Sequence, residues 1–476
     1  MADIDDLLAD IASGPQGPEV GAFFDFDGTL IDGYSATLYF RERLTTGQIG
    51  PAELLGTLVE VFNMKSRGHD VTRLVEVALQ ALAGREVAEL EQFAADMWRT
   101  RIAPKVYPDA RRLVAAHLKA GHTVALASSA TRFQAASAAA DLDIPHILVT
   151  EIEDDDGILT GRVDGPILWG PGKAQAVREF AEEHGLDLGS SYAYGNGAED
   201  VPYLEVVGRP RPLNPDGGLT AAAAERGWSV HRLTRVQRLT PLTVVRSAAS
   251  FAGLGVGVAA GLGMGLLNRD RGTALTVAAA VGSELSLAAA GVELEVEGAE
   301  HLWAARPAVF VFNHQSQLDV AILAALLRRD FTGVAKKELS RDPAFAAMGW
   351  LADVAYIDRT DAVQARAALA PAVDALRDGK SLVIAPEGTR SPTPKLLPFK
   401  KGAFHLALQA RVPMVPIVIR NAGAIMPAHS MLISPGVVQV AVLPPVSTAR
   451  WTAKGLDRQV TRVRGMFLDQ FAAWEA

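Results

Sequence analysis

At 476 residues the chain is longer than one hydrophobic core ordinarily serves, and domains of roughly 100 to 200 residues imply two or three units. Hydrophobic residues at 49% and charged residues at 21% exclude a disordered chain and a polytopic membrane protein, and a net charge of −8 gives no overall attraction to nucleic acid. The absence of cysteine excludes disulfides, thiolate metal sites and a cysteine nucleophile.

The segment MADIDDLLADIAS lacks the positive and apolar regions of a secretory signal, which places the first domain in the cytoplasm. From residue 22 to about 230, short apolar runs alternate with amphipathic stretches, the pattern of a parallel sheet with crossover helices. Predicted strands are AFF before Asp25, TVALA before Ser128, HILVT at 146–150 and YAY before Gly195. Between 33 and 105 the alternation stops, and PAELLGTLVEVFNM and DVTRLVEVALQALAG show helical spacing, which predicts a helical insertion after the first strand. An Arg-bearing linker follows at 230–246.

Residues 247–267 carry no charge, and as a helix they reach about 30 Å, the thickness of a bilayer core. A second apolar run from 273 to Glu284 predicts a helical hairpin, with Gly253, Gly257, Gly261 and Gly265 on one stripe that allows close helix packing. Arg269 and Arg271 in the turn disfavour full translocation, so a shallow dip into the inner leaflet is expected. Alternation resumes from 291 to the end, predicting a second α/β domain. The divisions are therefore 1–230, 231–290 for the linker and hairpin, and 291–476.

Asp25 and Asp27 in DFDGTL follow an apolar strand, and Gly28 permits the tight turn that exposes both carboxylates at the strand's C-terminal end. One carboxylate can attack a phosphoryl group while the other serves as acid and base, with a divalent ion screening the charge. Further on come Ser128 after VALA, Lys173 in PGKAQAV and the acidic segment YGNGAEDVPYL. In this order the segments resemble the haloacid dehalogenase superfamily, in particular its phosphoserine phosphatase-like branch, over residues 20–230. The resemblance implies a Rossmann-like fold with a helical cap, Asp25 as nucleophile, Asp27 as general acid and base, and Ser128 and Lys173 holding the phosphoryl oxygens. It also implies a Mg²⁺ site drawn from Asp25, Asp27, Asn196 and Asp200. Asn196 stands where the family has a carboxylate, so Mg²⁺ should bind more weakly unless Asp200 moves in.

His314 and Asp319 lie in NHQSQLD, after the strand AVFVF and at the start of a helix. A His with an Asp five residues on is common by chance, but here the first helical turn can aim the carboxylate back at the imidazole. No activated Ser or Cys stands nearby, which favours direct attack of an acceptor hydroxyl on a thioester. YIDR at 356–359, PEGTRS at 386–391 and VPMVPIVI at 412–419 complete four ordered blocks that resemble the glycerolphosphate acyltransferase family over 290–450, with AKKEL and PFKKGAF as further segments. Tyr356 and Ala385 are small departures.

That resemblance implies an α/β glycerolphosphate acyltransferase domain that converts lysophosphatidic acid to phosphatidic acid, with acyl-CoA or acyl carrier protein as donor. His314 would be the base, oriented by Asp319, while Arg359, Glu387, Gly388, Thr389 and Arg390 would form the glycerol-phosphate pocket. Lys337, Lys400 and Lys401 are further candidates for phosphate or coenzyme A contacts, Pro413 and Pro416 shape a strand edge, and Glu387 could instead pair with Arg390. The enzyme is then expected on the cytoplasmic face of the cell membrane, held by the hairpin. The alternatives are a phosphatase acting on phosphoserine or a lipid phosphate as the main activity, and a non-catalytic regulatory front domain.

Overall fold

The computed structural model describes residues 4–47, 71–234, 240–337, 341, 343–357, 370–428 and 430–475. The insertion segment PAELLGTLVEVFNM, most of the 235–239 linker and Arg359 lie outside the described residues. The chain divides into two compact units, Met1–Val236 and Gln237–Ala476.

The first unit is built on a six-stranded sheet in the order β4-β3-β2-β1-β5-β6. β1 (Gly21–Phe24) lies between β2 (Thr123–Thr131) and β5 (Tyr192–Gly195), and both pairings are parallel. All four residues of β1 are buried, as a strand covered on both faces requires. Three sequence segments far apart in the chain therefore end side by side at one sheet edge: Asp25 after β1, Ser128 late in β2, and Asn196 after β5. The sheet is not wholly parallel. The HILVT segment continues as β3 (His146–Asp155), which turns back through β4 (Ile158–Asp164) as an antiparallel hairpin.

Beneath β5, His117 and His122 form a buried polar chain. His117 Nδ1 lies 2.7 Å from His122 Nδ1 and its Nε2 lies 2.8 Å from the Tyr194 hydroxyl. Burial holds the His117 imidazole down at about 3, and His122 and Arg211 push it the same way, so this ring is neutral in the folded protein.

The second unit, which includes β7 (Val292–Glu297) and β9 (Phe331–Lys336), holds a seven-stranded sheet, β10-β9-β11-β8-β12-β13-β7, parallel except where β12 (Met414–Arg420) meets β13 (Gly436–Val442). β8 (Val309–Phe312) is fully buried and has β11 (Ser381–Ile384) on one side and β12 on the other. The two expected α/β sheets are thus both present.

Ahead of the second sheet stand the helices Pro241–Asn268 and Arg271–Ala290, longer than the apolar runs alone implied because capping decides their ends. Thr240 accepts from the Thr243 N–H and precedes a first-turn proline, Asp270 accepts from the Gly272 and Thr273 N–H groups, and Gly291 at φ +70° closes the second helix. The glycine stripe packs against the second helix: a Cβ at Gly253 would press on Leu285 and Ser286, at Gly257 on Gly282, and at Gly261 on Ala274 and Ala278. Ser250 and Ser286 add a hydroxyl contact of 2.8 Å. The second helix rests on the domain through Ala274, Leu275 and Ala278 against Leu351 and Ala352.

Candidate active sites

In the first unit Lys173 sits in the first turn of the helix Pro171–His184, and its buried ammonium donates to Asp25 Oδ1 at 2.8 Å and Asp200 Oδ1 at 2.6 Å. Burial works to lower the lysine's value, but Asp200 and Asp25 outweigh it and hold the ammonium charged. The other oxygen of Asp200 accepts from the main-chain N–H groups of Asn196 (3.0 Å) and Gly197 (3.3 Å). Asp200 thereby fixes both the lysine and the turn after β5. Asp27 is likewise engaged, accepting from the Ser35 N–H at 2.7 Å and hydroxyl at 3.0 Å.

Burial pushes Asp25 up to about 7 against the opposing pull of Lys173, and pushes Asp27 up to about 6 against the Ser35 hydrogen bonds. Two buried carboxylates, Asp25 and Asp200, and the half-buried Asp27 stand around one ammonium, an excess of negative charge that suits a cation. The Thr29 hydroxyl is 3.2 Å from Asn196 Oδ1 and 3.4 Å from Asp25 Oδ2, so these two oxygens face one small space. Gly28, at φ +76°, is needed there because a Cβ would collide with the Asn196 amide. Among the described residues no group of three or more His, Asp or Glu converges as a metal site, which leaves a weak oxygen set of Asp25 and Asn196. Ser128 is buried where the β2–β3 register becomes irregular, and its Oγ accepts from the Ala130 N–H at 3.2 Å. Thr29 and Ser35 were not singled out in the sequence, although Thr29 lies within DFDGTL and Ser35 follows it closely.

In the second unit the loop Asn313–Leu318 leaves β8 and enters the helix Asp319–Leu327. Asn313 is pinned to β12 by two bonds, its amide donating to the Ile419 carbonyl and its oxygen accepting from the Ile419 N–H, each 2.7 Å. His314 Nδ1 lies 2.7 Å from Asp319 Oδ2, and the same oxygen accepts from the Gln315 and Ser316 N–H groups at 3.0 Å. Asp319 is fully buried, while the His314 side chain keeps 23% of its surface. With Nδ1–H donating to the carboxylate, Nε2 carries the lone pair on the exposed side.

Glu387 meets a different fate from the one expected. Only 2% exposed, it accepts from the His314 N–H through Oε1 (2.7 Å) and from the Leu397 N–H through Oε2 (2.8 Å). Both oxygens are spent on the main chain, so it neither lines a phosphate pocket nor pairs with Arg390. Arg390 is half-buried, and its Nη1 is enclosed without a hydrogen-bond partner; burial lowers the guanidinium's value and Asp319 opposes this. Asp319 Oδ1 is a second enclosed polar atom with no partner. These two atoms are where a bound polar group would be satisfied.

Gly388, at φ +75°, lies under Lys400: a Cβ there would stand 2.9 Å from Nζ. Thr389, Lys337 and Lys400 are exposed. Lys401 is removed from the candidates, since it forms an exposed ion pair of 2.7 Å with Asp457. Pro416 pairs in register with Val311 within the sheet, and the Pro413 carbonyl accepts from the Val309 N–H, so both prolines are structural. Tyr356 lies on the edge strand β10 (Ala355–Ile357), and Ala385 packs on the core.

Residues 22–205 match the haloacid dehalogenase-like hydrolases and residues 293–420 match an acyltransferase family. A phosphoserine phosphatase of Mycobacterium tuberculosis is 37% identical over 238 residues, which is 49% of this chain and 77% of that one. Human 1-acyl-sn-glycerol-3-phosphate acyltransferase alpha is 38% identical over 184 residues, 38% of this chain and 64% of the human one. A solved 1-acyl-sn-glycerophosphate acyltransferase from Thermotoga maritima is 22% identical, with 49% of this chain and 96% of that one covered and a TM-score of 0.44. The chain belongs to the haloacid dehalogenase-like hydrolases through its first unit and carries an acyltransferase-family domain in its second.

Proposed function

We propose that the second domain transfers an acyl group from acyl-CoA or acyl carrier protein to the sn-2 hydroxyl of 1-acylglycerol 3-phosphate, giving phosphatidic acid. The observation that carries this reading is the His314–Asp319 pair at 2.7 Å, with the imidazole still open to solvent. His314 Nε2 takes the hydroxyl proton as the oxygen attacks the thioester carbonyl. The new C–O bond forms, the C–S bond breaks, and the imidazolium returns the proton to the departing thiolate. Asp319 stabilises the imidazolium in between. In this reading Arg390, whose Nη1 lacks a protein partner, would bind the phosphate, and Lys400, over the neighbouring Gly388, would assist it. Similarity to the human acyltransferase supports the acceptor class.

The first domain is read as a Mg²⁺-dependent phosphatase with a weakened metal site, acting on phosphoserine or a lipid phosphate. Asp25 attacks phosphorus to form an aspartyl phosphate, and Asp27, held near neutrality by burial, protonates the leaving alkoxide and then deprotonates the hydrolytic water. Lys173 keeps Asp25 aligned. Asp25 and Asn196 would hold the cation, which would neutralise the phosphoryl oxygens.

The hairpin is read as the anchor to the cytoplasmic leaflet. Its first helix exposes Leu266 (81%), Leu267 (79%) and Val245 (63%), and both helices are long and apolar enough to cross a membrane. Arg271 is tied to Asp353 at 2.5 Å and stacked on Trp350 at 4.5 Å, so the second helix stays on the domain, which supports shallow insertion over spanning.

The test is product analysis by mass spectrometry, with purified protein supplied with several lysolipids and both donor types. Phosphatidic acid as the main product is expected. Phosphate release with no acyl transfer from any donor would reverse the assignment of the main activity.

A further inference from the structure

The main chain of His314 is gripped on both sides by one neighbouring segment. Its N–H donates to Glu387 Oε1 at 2.7 Å, and its carbonyl accepts from the Ser391 N–H at 2.7 Å. The second oxygen of Glu387 accepts from the Leu397 N–H at 2.8 Å, so a single buried carboxylate joins the loop after β8 to the loop before the helix Gly402–Ala410. The parallel pairing of β8 and β11 brings these loops together. The Glu387 side chain between the two amides is almost wholly enclosed, so its two oxygens are satisfied by these main-chain donors rather than by bulk water.

We propose that Glu387 is a positioning residue for acyl transfer: as a carboxylate it holds the His314 and Leu397 amides together, thereby setting the reach of the imidazole, and it makes no contact with the glycerol phosphate. The proposal rests on the acyltransferase reading above. A carboxylate can accept two N–H bonds through separate oxygens. When protonated, or replaced by glutamine, the side chain presents a donor at one of those positions and must release one amide. Misplacing a catalytic group by about 1 Å costs on the order of a hundredfold in rate.

Burial pushes the Glu387 carboxyl up to about 7 even against its two amide bonds, with Asp319 raising it and Arg464 lowering it. The charged and titratable groups around it are His314 and Asp319 from the loop and helix after β8, Arg464 from the helix Leu456–Glu475, and Arg390 and Lys400 from its own segment. The clamp therefore closes as pH rises through neutrality.

The experiment uses the full chain and Glu387→Gln. Hydrogen exchange is followed on the peptides that carry His314 and Leu397, and kinetics are measured with 1-acylglycerol 3-phosphate and acyl-CoA across pH. Faster exchange in both peptides is expected. Alongside it, kcat should fall roughly ten- to a hundredfold with KM for the lysolipid within about twofold of wild type. The acidic limb of log kcat should be steeper in wild type, where the Glu387 carboxyl must lose its proton for the clamp to close, than in the variant, which lacks that group.

A raised KM with kcat retained and exchange unchanged would overturn the proposal and return Glu387 to the substrate pocket. Should the variant fail to fold, protection of the same two amides in the unaltered protein, followed between about pH 8 and about pH 6, decides the matter: it must weaken toward acid, and constant protection refutes the clamp. Loss of protection in Glu387→Gln, with no acyl transfer by the wild-type protein, would instead sink the acyltransferase reading and leave the clamp standing as structure.

Discussion

Both units place their reactive groups at the C-terminal ends of parallel strands, yet they prepare them in opposite ways. In the first, the buried Asp25 and Asp200 and the half-buried Asp27 surround a single lysine, and the charges themselves are the organising force. In the second, one partly exposed imidazole is oriented by its Nδ1 contact with the Asp319 carboxylate, while the main-chain N–H of the same residue is held by Glu387. Acid strength is tuned by burial in one site and direction is set by geometry in the other. Phosphoryl chemistry needs a charged nucleophile in a charge-balanced pocket, whereas a general base for a lipid alcohol must stay open to its substrate.

The sharpest way to break this comparison is to remove each reactive group and ask whether the two activities part company. His314→Ala should lower acyl transfer by roughly a thousandfold or more while phosphate release is unchanged. Asp25→Asn should do the reverse, and loss of both activities from either change would dissolve the division of labour. Stability separates the sites next. Lys173→Met leaves Asp25 and Asp200 buried without a counter-charge and should destabilise the first unit by about 3–5 kcal/mol, read by urea unfolding.

Asn196→Asp sharpens the electrostatic half. The added charge should tighten Mg²⁺ binding by roughly tenfold, measured by calorimetry and therefore independent of turnover. An unchanged affinity would mean that Asn196 lies outside the metal set.

A smaller effect concerns pH. Folding keeps His117 neutral down to about 3, whereas the unfolded imidazole takes up a proton near its ordinary value of 6.5. The unfolded state thus binds more protons between these values, so this group's contribution is present above about pH 6.5 and is lost as pH falls below it, by at most about 1.4 kcal/mol per pH unit. The difference in unfolding free energy between wild type and His117→Phe should show that slope. Smallest of all, Ser250→Ala removes one hydroxyl contact between the hairpin helices and should cost about 1 kcal/mol.

Much of this was legible in the residues. Buried strands read as apolar runs, so DFDGTL, NHQSQLD and PEGTRS could be set at strand ends, and the two α/β units and the glycine stripe followed from periodicity. The spacing of His314 and Asp319 already allowed their contact, which the tight loop Asn313–Leu318 provides by bringing the first residue of the helix Asp319–Leu327 back to the imidazole. Asp200, Glu387 and Lys401 were not legible in this way. A carboxylate in a motif looks the same whether it faces a metal, a substrate or a pair of amides, and only the neighbouring strand decides which. Local sequence determined the elements and the groups available for chemistry. Tertiary pairing, β1 between β2 and β5 and β8 beside β11, decided which of those groups are free to react and which are consumed in holding the others, because hydrogen-bond satisfaction in a buried site depends on segments far apart in the chain.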